Sequence, residues 1–418
     1  MTEELKSNIC NPEMLEKMYR DNPSAFEEEF EKIYPEISNL EIAKFWKARL
    51  EYSRKPDRLK TSDLPEVIIV ITICIITALL IKIPDFFHIG FPESMFYQKN
   101  AAAIVFLGLV LYMIRINKIA GYKKIISIAA AFIIPVVYSN LLPSVDPGDS
   151  VNLVYIHLPL LFWCIFGMVF IDFNFSNNKR IDFIRYNGDL LIIYALIAIT
   201  GGLLTAVTIG LFNSIGLNIE KFYSENIVLT GAVAAPVIAA FIIRAFPGLV
   251  TRIAPVIASV FSPLVLITLI AFLISIAFTG KNPYKDRDFL LIFNIMLLGV
   301  MGIIVFSVSE ASVIKNQKFN GIILFSLSVI TIVVDLIALS AIFYRLGEYG
   351  LTPNRLAVLG SNLLVLINLV LIMIDLFKVT FKKCEFRKVE MSVAKFLPVY
   401  LGWIIIVIFG FPFIFGMK

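Results

Sequence analysis

The chain has 418 residues, of which 58% are hydrophobic, 36 are Phe and only 17% are charged, and its mean hydropathy is +0.84. Such a composition lies outside that of a water-soluble domain and excludes an ordinary globular enzyme. The formal net charge of +5 is small and gathers beside apolar segments, which fits lipid headgroups and not nucleic acid.

Residues 1–64 read as a small helical cytosolic region. Asn11-Pro12 and Asn22-Pro23 each place a capping side chain before a proline at the first helical position, and Ser38 with Glu41 has capping-box spacing. The apolar faces predicted for three short helices are Met14, Leu15, Met18 and Tyr19; Phe26, Phe30 and Ile33; and Ile42, Phe45, Trp46 and Leu50. Acids dominate up to Glu41, whereas Lys44, Lys47, Arg49, Arg54, Lys55, Arg58 and Lys60 crowd the approach to the first apolar run. Two roles fit this region: an anchor on anionic membrane lipid, or a docking module for a cytosolic protein partner. No cleavable leader is expected ahead of it, because the first sixty residues are charged.

From residue 65 to 418 the pattern predicts an all-α, polytopic membrane domain. Apolar runs long enough to cross about 30 Å of hydrocarbon recur at 65–83, 100–117, 124–142, 152–171, 189–217, 227–246, 254–279, 288–308, 320–344, 354–378 and 397–416. With eleven spans and a cytoplasmic amino end, the carboxyl end is external. Far more Lys and Arg then fall inside than outside, as the positive-inside rule requires; Lys82, Lys99, Arg345 and Arg355 are among the few assigned to the outer side. The four cysteines, Cys10, Cys74, Cys164 and Cys384, have no metal or redox spacing and read as free thiols.

The fifth run is too long for a straight crossing and carries Gly201-Gly202; the sixth holds Gly231 and Pro236, the seventh Pro255 and Pro263. Helix breaks at Gly201, Gly202, Pro236 and Pro263 would mark a transporter-type binding site. Close packing of small residues is the competing explanation.

Several chemistries are missing. Only two histidines occur, His88 and His157, so a paired-histidine zinc motif is excluded, and neither a phosphate-cradling G-x-x-x-x-G-K-[ST] loop nor a G-x-S-x-G elbow is present. The loop holding Asp146 and Asp149 lacks the ligand series of a calcium-binding hand. No cofactor or metal is expected.

The sharpest question comes from Thr331 to Asn362. A lone acid, Asp335, interrupts an apolar run, at a cost of about 2.5 to 3.5 kcal/mol on insertion scales. Counting depth inward from each surface places Asp335 in the outer third, level with Asn362 and near Asn294, with Thr331 one turn below. Arg345, Glu348, Tyr349, Thr352 and Arg355 are expected to cap this substrate or proton site from outside, Arg355 being a candidate partner for the acid. Asp335 is therefore either a transport or proton-relay group or a structural carboxylate.

The intervening segment RLGEYGLTPNR resembles the Tyr-Gly-Leu-Thr-x-x-Arg loop of bacterial multi-pass membrane proteins grouped only as domain-of-unknown-function families. The matching residues are Tyr349, Gly350, Leu351, Thr352 and Arg355, with Arg345 upstream. The resemblance implies a bacterial inner-membrane location and no particular reaction. Three readings follow from the residues: a transporter or permease for a small solute or ion, proton-coupled through Asp335; a non-catalytic scaffold or sensor docking a cytosolic partner; and, least supported, a lipid-acting enzyme using Asp335, Glu348 and Arg345.

Overall fold

The computed structural model describes residues 5, 7–9, 11–21, 23–54, 64–87, 92–143, 148–214, 216–279, 284, 287–311, 317–382 and 384–417. Asn22, His88 and Asp146 lie outside these residues, as do Cys10 and the basic residues between 55 and 60. The chain divides into two compact units, Met1–Leu64 and Pro65–Lys418.

The first unit holds α1 (Pro12–Asp21), α2 (Pro23–Ile37) and α3 (Glu41–Arg54). Leu15, Phe26, Phe30, Ile33, Ala43, Trp46 and Leu50 are buried together, with the Phe26 and Trp46 rings 5.0 Å apart. Arg49 pairs with Glu16 at 2.7 Å and lies 4.6 Å over the Trp46 ring, tying α3 to α1. Asn11 Oδ1 accepts the Met14 amide at 3.2 Å, the expected cap. Three expectations are corrected. Met14 is exposed and lies outside this core. Phe45 points outward, 62% exposed, because Ala43 lets α3 approach its neighbours on the face of Trp46 and Leu50. Ser38 forms no capping box: its hydroxyl turns back to the Pro35 carbonyl at the end of α2.

In the second unit, eleven helices among the described residues are long and apolar enough to cross a membrane. They are α4 (Leu64–Ile81), α5 (Glu93–Ile116), α6 (Tyr122–Leu141), α7 (Asp149–Phe170), α8 (Asn177–Ser214), α9 (Glu220–Ala245), α10 (Pro247–Thr279), α11 (Arg287–Glu310), α12 (Gln317–Tyr349), α13 (Pro353–Lys382) and α14 (Arg387–Ile414). Side chains at the helix ends show that α4 runs antiparallel to α5 and α9, and α6 to α7. The start of α4 meets the ends of α5 and α9 through Glu66, which accepts from Tyr112 at 2.8 Å and pairs with Arg244 at 3.1 Å. Lys124 at the start of α6 pairs with Asp172 just beyond α7 at 2.6 Å.

Two apolar cores organise the helices. One is built mainly by α4 to α7 and α9, the other by α10 to α13, and α8 and α14 supply residues to both. Gly188 of α8 lets Phe306 of α11 come so close that an added Cβ would stand 2.2 Å from its ring, and Gly360 of α13 does the same for Trp403 of α14, at 2.1 Å.

The anticipated breaks do not form. α8 runs as one 38-residue helix through Gly201 and Gly202, Pro236 lies inside α9, and Pro255 and Pro263 lie inside α10. Breaking the ladder in hydrocarbon would strand several backbone groups, whereas a proline within a helix forfeits little more than one bond. The irregularities lie elsewhere, as π turns at Ser224–Val228 in α9 and Ile406–Gly410 in α14. Lys99 is likewise not a loop residue: it is buried within α5 and donates to the Leu142 carbonyl at 2.8 Å.

A paired substitution checks this packing. Gly188→Ala should lower stability in detergent by about 1–3 kcal/mol through overpacking. Gly201→Ala, where an added Cβ meets nothing within 4 Å, should be neutral or stabilising by up to about 1 kcal/mol. A loss at Gly201 as large as that at Gly188 would point to a hinge in α8 after all.

Candidate functional site

Asp335 lies near the middle of the 33-residue α12, and it is 0% exposed. Neither carboxylate oxygen has a hydrogen-bond partner among the described residues. Thr331, one turn away and equally buried, spends its single proton on the Leu327 carbonyl at 2.7 Å, and Ser328 does the same with Leu324 at 2.8 Å. These hydroxyls satisfy themselves within their own helix, so neither is the donor that the acid lacks.

The hairpin itself gives the residue level with Asp335 on the facing arm. Its arms, α12 and α13, have 33 and 30 residues and overrun a hydrocarbon core of about 30 Å. Depth is therefore measured from their common turn. Asp335 is then about 21 Å from the turn and Asn368 about 22 Å, whereas Asn362 is only about 14 Å from it. Asn368, 1% exposed, donates to the Tyr400 hydroxyl of α14 at 3.0 Å, and its own amide oxygen is buried without a partner among the described residues. Tyr400 is near enough to Asp335 for the two to interact electrostatically. Asp335, Asn368 and Tyr400 thus form the candidate site at mid-helix, Asn368 bonded to Tyr400 and level with the acid by this count. Asn362 belongs one level nearer the turn, where it donates to Asn294 Oδ1 at 2.7 Å.

The turn is a self-contained device. Gly350, at φ +73°, closes α12 with its amide on the Leu346 carbonyl at 3.0 Å, a left-handed cap that favours glycine. Thr352 Oγ1 accepts the Arg355 amide at 3.4 Å and so caps α13. Arg355 Nη1 donates to the carbonyls of Tyr349 at 2.7 Å and Gly350 at 2.6 Å, and its guanidinium lies over the Tyr349 ring. The Tyr-Gly-Leu-Thr-x-x-Arg spacing thereby acquires a structural explanation. Arg355 is committed to the turn, Glu348 and Tyr349 are exposed and Arg345 half-buried, and none of them caps Asp335.

A cavity of about 810 Å³ lies beside the site, walled by α7, α8, α10, α11, α13 and α14, which is within the size range of small-molecule sites. Most of its wall is apolar. Its lining includes the polar side chains His157, Trp163, Asn187, Asn294, Ser307, Ser361, Asn362, Tyr400 and Trp403; Asp335 is not on the wall, so Tyr400 links acid and cavity. The Trp403 indole donates to Ser361 at 3.1 Å. His157 Nδ1 meets the Leu153 carbonyl at 2.8 Å, and since a carbonyl only accepts, Nδ1 carries the proton and Nε2 of the neutral ring is an acceptor.

A second polar cluster joins α8, α11 and α14 at one end of the bundle. Arg185 donates to the Ser309 carbonyl at 2.6 Å and pairs with Glu390 at 2.8 Å. Glu310, 6% exposed, and Asp189 share its electrostatic surroundings. The residue pattern had assigned Arg185 to a loop; α8 begins a full two turns earlier, at Asn177. Among the described residues no group of three or more His, Cys, Asp or Glu is placed to hold a metal ion.

Comparison of the chain with protein-family models, with curated proteins and with solved structures gives no match. The fold alone defines the class: an all-α, multi-pass integral membrane protein.

The reading of the turn has a direct check. Arg355→Ala should cost about 1–3 kcal/mol of thermal stability, since it removes charge-assisted bonds to two carbonyls, and Arg355→Lys, which cannot reproduce the planar fork, should recover only part of it. Full stability in both variants would remove the lacing role.

Proposed function

We propose that the protein is a proton-linked permease for a small solute, with Asp335 as the group that takes up and releases the proton. One observation carries this reading: a fully buried carboxylate with no hydrogen-bond partner among the described residues, at mid-height of its helix and beside a cavity walled by six helices. A bare ionised carboxylate is unstable there, so the group must hold a proton or meet a cation. Tyr400 accepts from Asn368 and its own proton has no acceptor among the described residues, which makes it a link between Asp335 and the cavity. A purely structural acid would be expected to sit in a closed hydrogen-bond network. Asp335 does not.

The proposed setting is a bacterial inner membrane, on the strength of the loop resemblance, with a cytoplasmic amino end and an external carboxyl end on the strength of the charge distribution. In a background without native cysteines, Asp149→Cys should react with an impermeant external reagent and Glu385→Cys should not. The reverse labelling would invert the orientation.

The role of Asp335 is tested by Asp335→Asn in protein reconstituted into liposomes. The amide keeps shape and polarity but cannot cycle a proton, so proton uptake and the protonated-carboxyl band in infrared difference spectra should both be lost while thermal stability is kept or raised. Proton uptake that survives the substitution would assign the acid to packing.

A second reading, a scaffold docking a cytosolic partner, is favoured by one feature: the amino-terminal unit has its own aromatic core yet leaves Phe45 62% exposed. The enzyme reading, which needs Asp335, Glu348 and Arg345 together, loses support because Asp335 lies about 15 Å along α12 from Arg345 while Glu348 is exposed.

A further inference from the structure

From the walls of the cavity we infer that its occupant is an uncharged, mostly apolar molecule with one polar end, of the fatty-alcohol type, loaded from the hydrocarbon of the bilayer. This rests on the permease reading, whose cargo it names. Three observations carry it. Among the described residues the wall contains no Lys, Arg, Asp or Glu, so neither a phosphate nor a free carboxylate or ammonium would find a counter-charge, and desolvating any of them is expensive. The two flanks differ in chemistry. On the α8 and α10 side the wall is mostly apolar, with Ile184, Leu191, Ile192, Ile257 and Phe261, and the polar side chain there, Asn187, already accepts from the Trp163 indole and donates to the Phe183 carbonyl, which leaves room for a hydrocarbon tail.

On the α11, α13 and α14 side the hydrogen-bonding groups are unused in a way that suits a neutral head. Asn294 receives the Asn362 amide on its oxygen, while its own amide hydrogens have no acceptor among the described residues. The Tyr400 hydroxyl accepts from Asn368, and its own proton has no acceptor among the described residues. With His157 Nε2 as acceptor, a hydroxyl or carbonyl head could be both donated to and accepted from.

The third observation is access. Leu191 and Phe261 on the tail side, together with Ile156 and Leu298, are exposed apolar side chains of membrane-crossing helices and also line the cavity. The cavity therefore borders the apolar exterior of the bundle, where a lipid-soluble molecule is concentrated.

Gly299 and Gly302 of α11 provide the means of testing this. Both line the cavity, and a Cβ added at either meets nothing within 4 Å, so Gly302→Phe or Gly299→Phe should fill the space with a ring without displacing a neighbour. Two of the three tryptophans, Trp163 and Trp403, are on the wall, and Trp46 in the amino-terminal unit is an internal reference. The probe is a fatty alcohol carrying bromine at the end of its tail, added to the full-length protein in nanodiscs, with quenching of indole fluorescence as the readout.

Saturable quenching is expected in the wild type. It should be weakened about tenfold or more in apparent affinity in Gly302→Phe and Gly299→Phe, and unchanged in Gly201→Phe, which adds the same ring at an equally open position away from the cavity. The corresponding fatty acid without bromine, held ionised at alkaline pH, should not compete, that is, should not restore the fluorescence. Quenching that never saturates, or is equal in all variants, would mean partition into the bilayer and overturn the inference; competition by the ionised acid would overturn the neutral-cargo assignment. Should either glycine variant fail to fold, the wild-type saturation, the acid competition and the other glycine still decide the matter. The readout involves no proton movement, so its failure would leave the proposal for Asp335 standing, and loss of proton coupling would leave the binding result intact.

Discussion

In hydrocarbon no polar group can rely on water, and the architecture of the membrane unit follows from that constraint. The helices stay continuous through glycine and proline because an open ladder would be worse. Hydroxyls inside them, such as Thr77, Ser262, Ser328 and Thr331, return their protons to carbonyls of their own helix. Amide side chains meet in pairs, as Asn100 with Asn140 and Asn362 with Asn294. Buried polar side-chain atoms left without a partner among the described residues are few: besides the hydroxyls of Ser150, Tyr186 and Thr380 and the amide nitrogen of Asn320, the membrane unit holds the carboxylate of Asp335 and the amide oxygen of Asn368.

Much of the fold was legible in the order of residues, because hydropathy and the length of a crossing are local properties. The eleven crossings follow from runs such as 152–171 and 397–416 without knowledge of any contact. The level of Asp335 was misjudged for a different reason: counting from two surfaces assumes that the helix is as long as the bilayer is thick, and α12 with 33 residues is far longer. Measured from Tyr349 and Pro353, the same residues point to Asn368. Tyr400 had a weak signal, a phenol in the apolar run after Lys395. The cavity had none, since its wall is assembled from six helices that are scattered between Leu153 and Ile404.

The Gly201-Gly202 pair shows the opposite failure, a strong local signal without a structural event. Glycine permits a break but does not require one, and where no partner approaches, as at Gly201, it leaves only a smooth surface. Where the approach is real, at Gly188 and Gly360, the residue pattern was silent. Those two glycines seat Phe306 and Trp403, both of which belong to the cavity wall. The space between the two cores is thus shaped by close packing at its margins. α8 and α14, which contribute to both cores, form the seam along which it lies.

The laced turn between α12 and α13 has a consequence for how the protein sits in bilayers of different thickness. Asp335 and Asn368 hang at nearly equal lengths from a turn whose ends are fixed by Gly350, Thr352 and Arg355. A thinner or thicker membrane changes where its surfaces cut the two arms, and by how much each arm protrudes or tilts. It does not change which residue of the facing arm is level with the acid, because that is fixed by the arms' common origin. The register of the site is carried by the protein and not by the lipid.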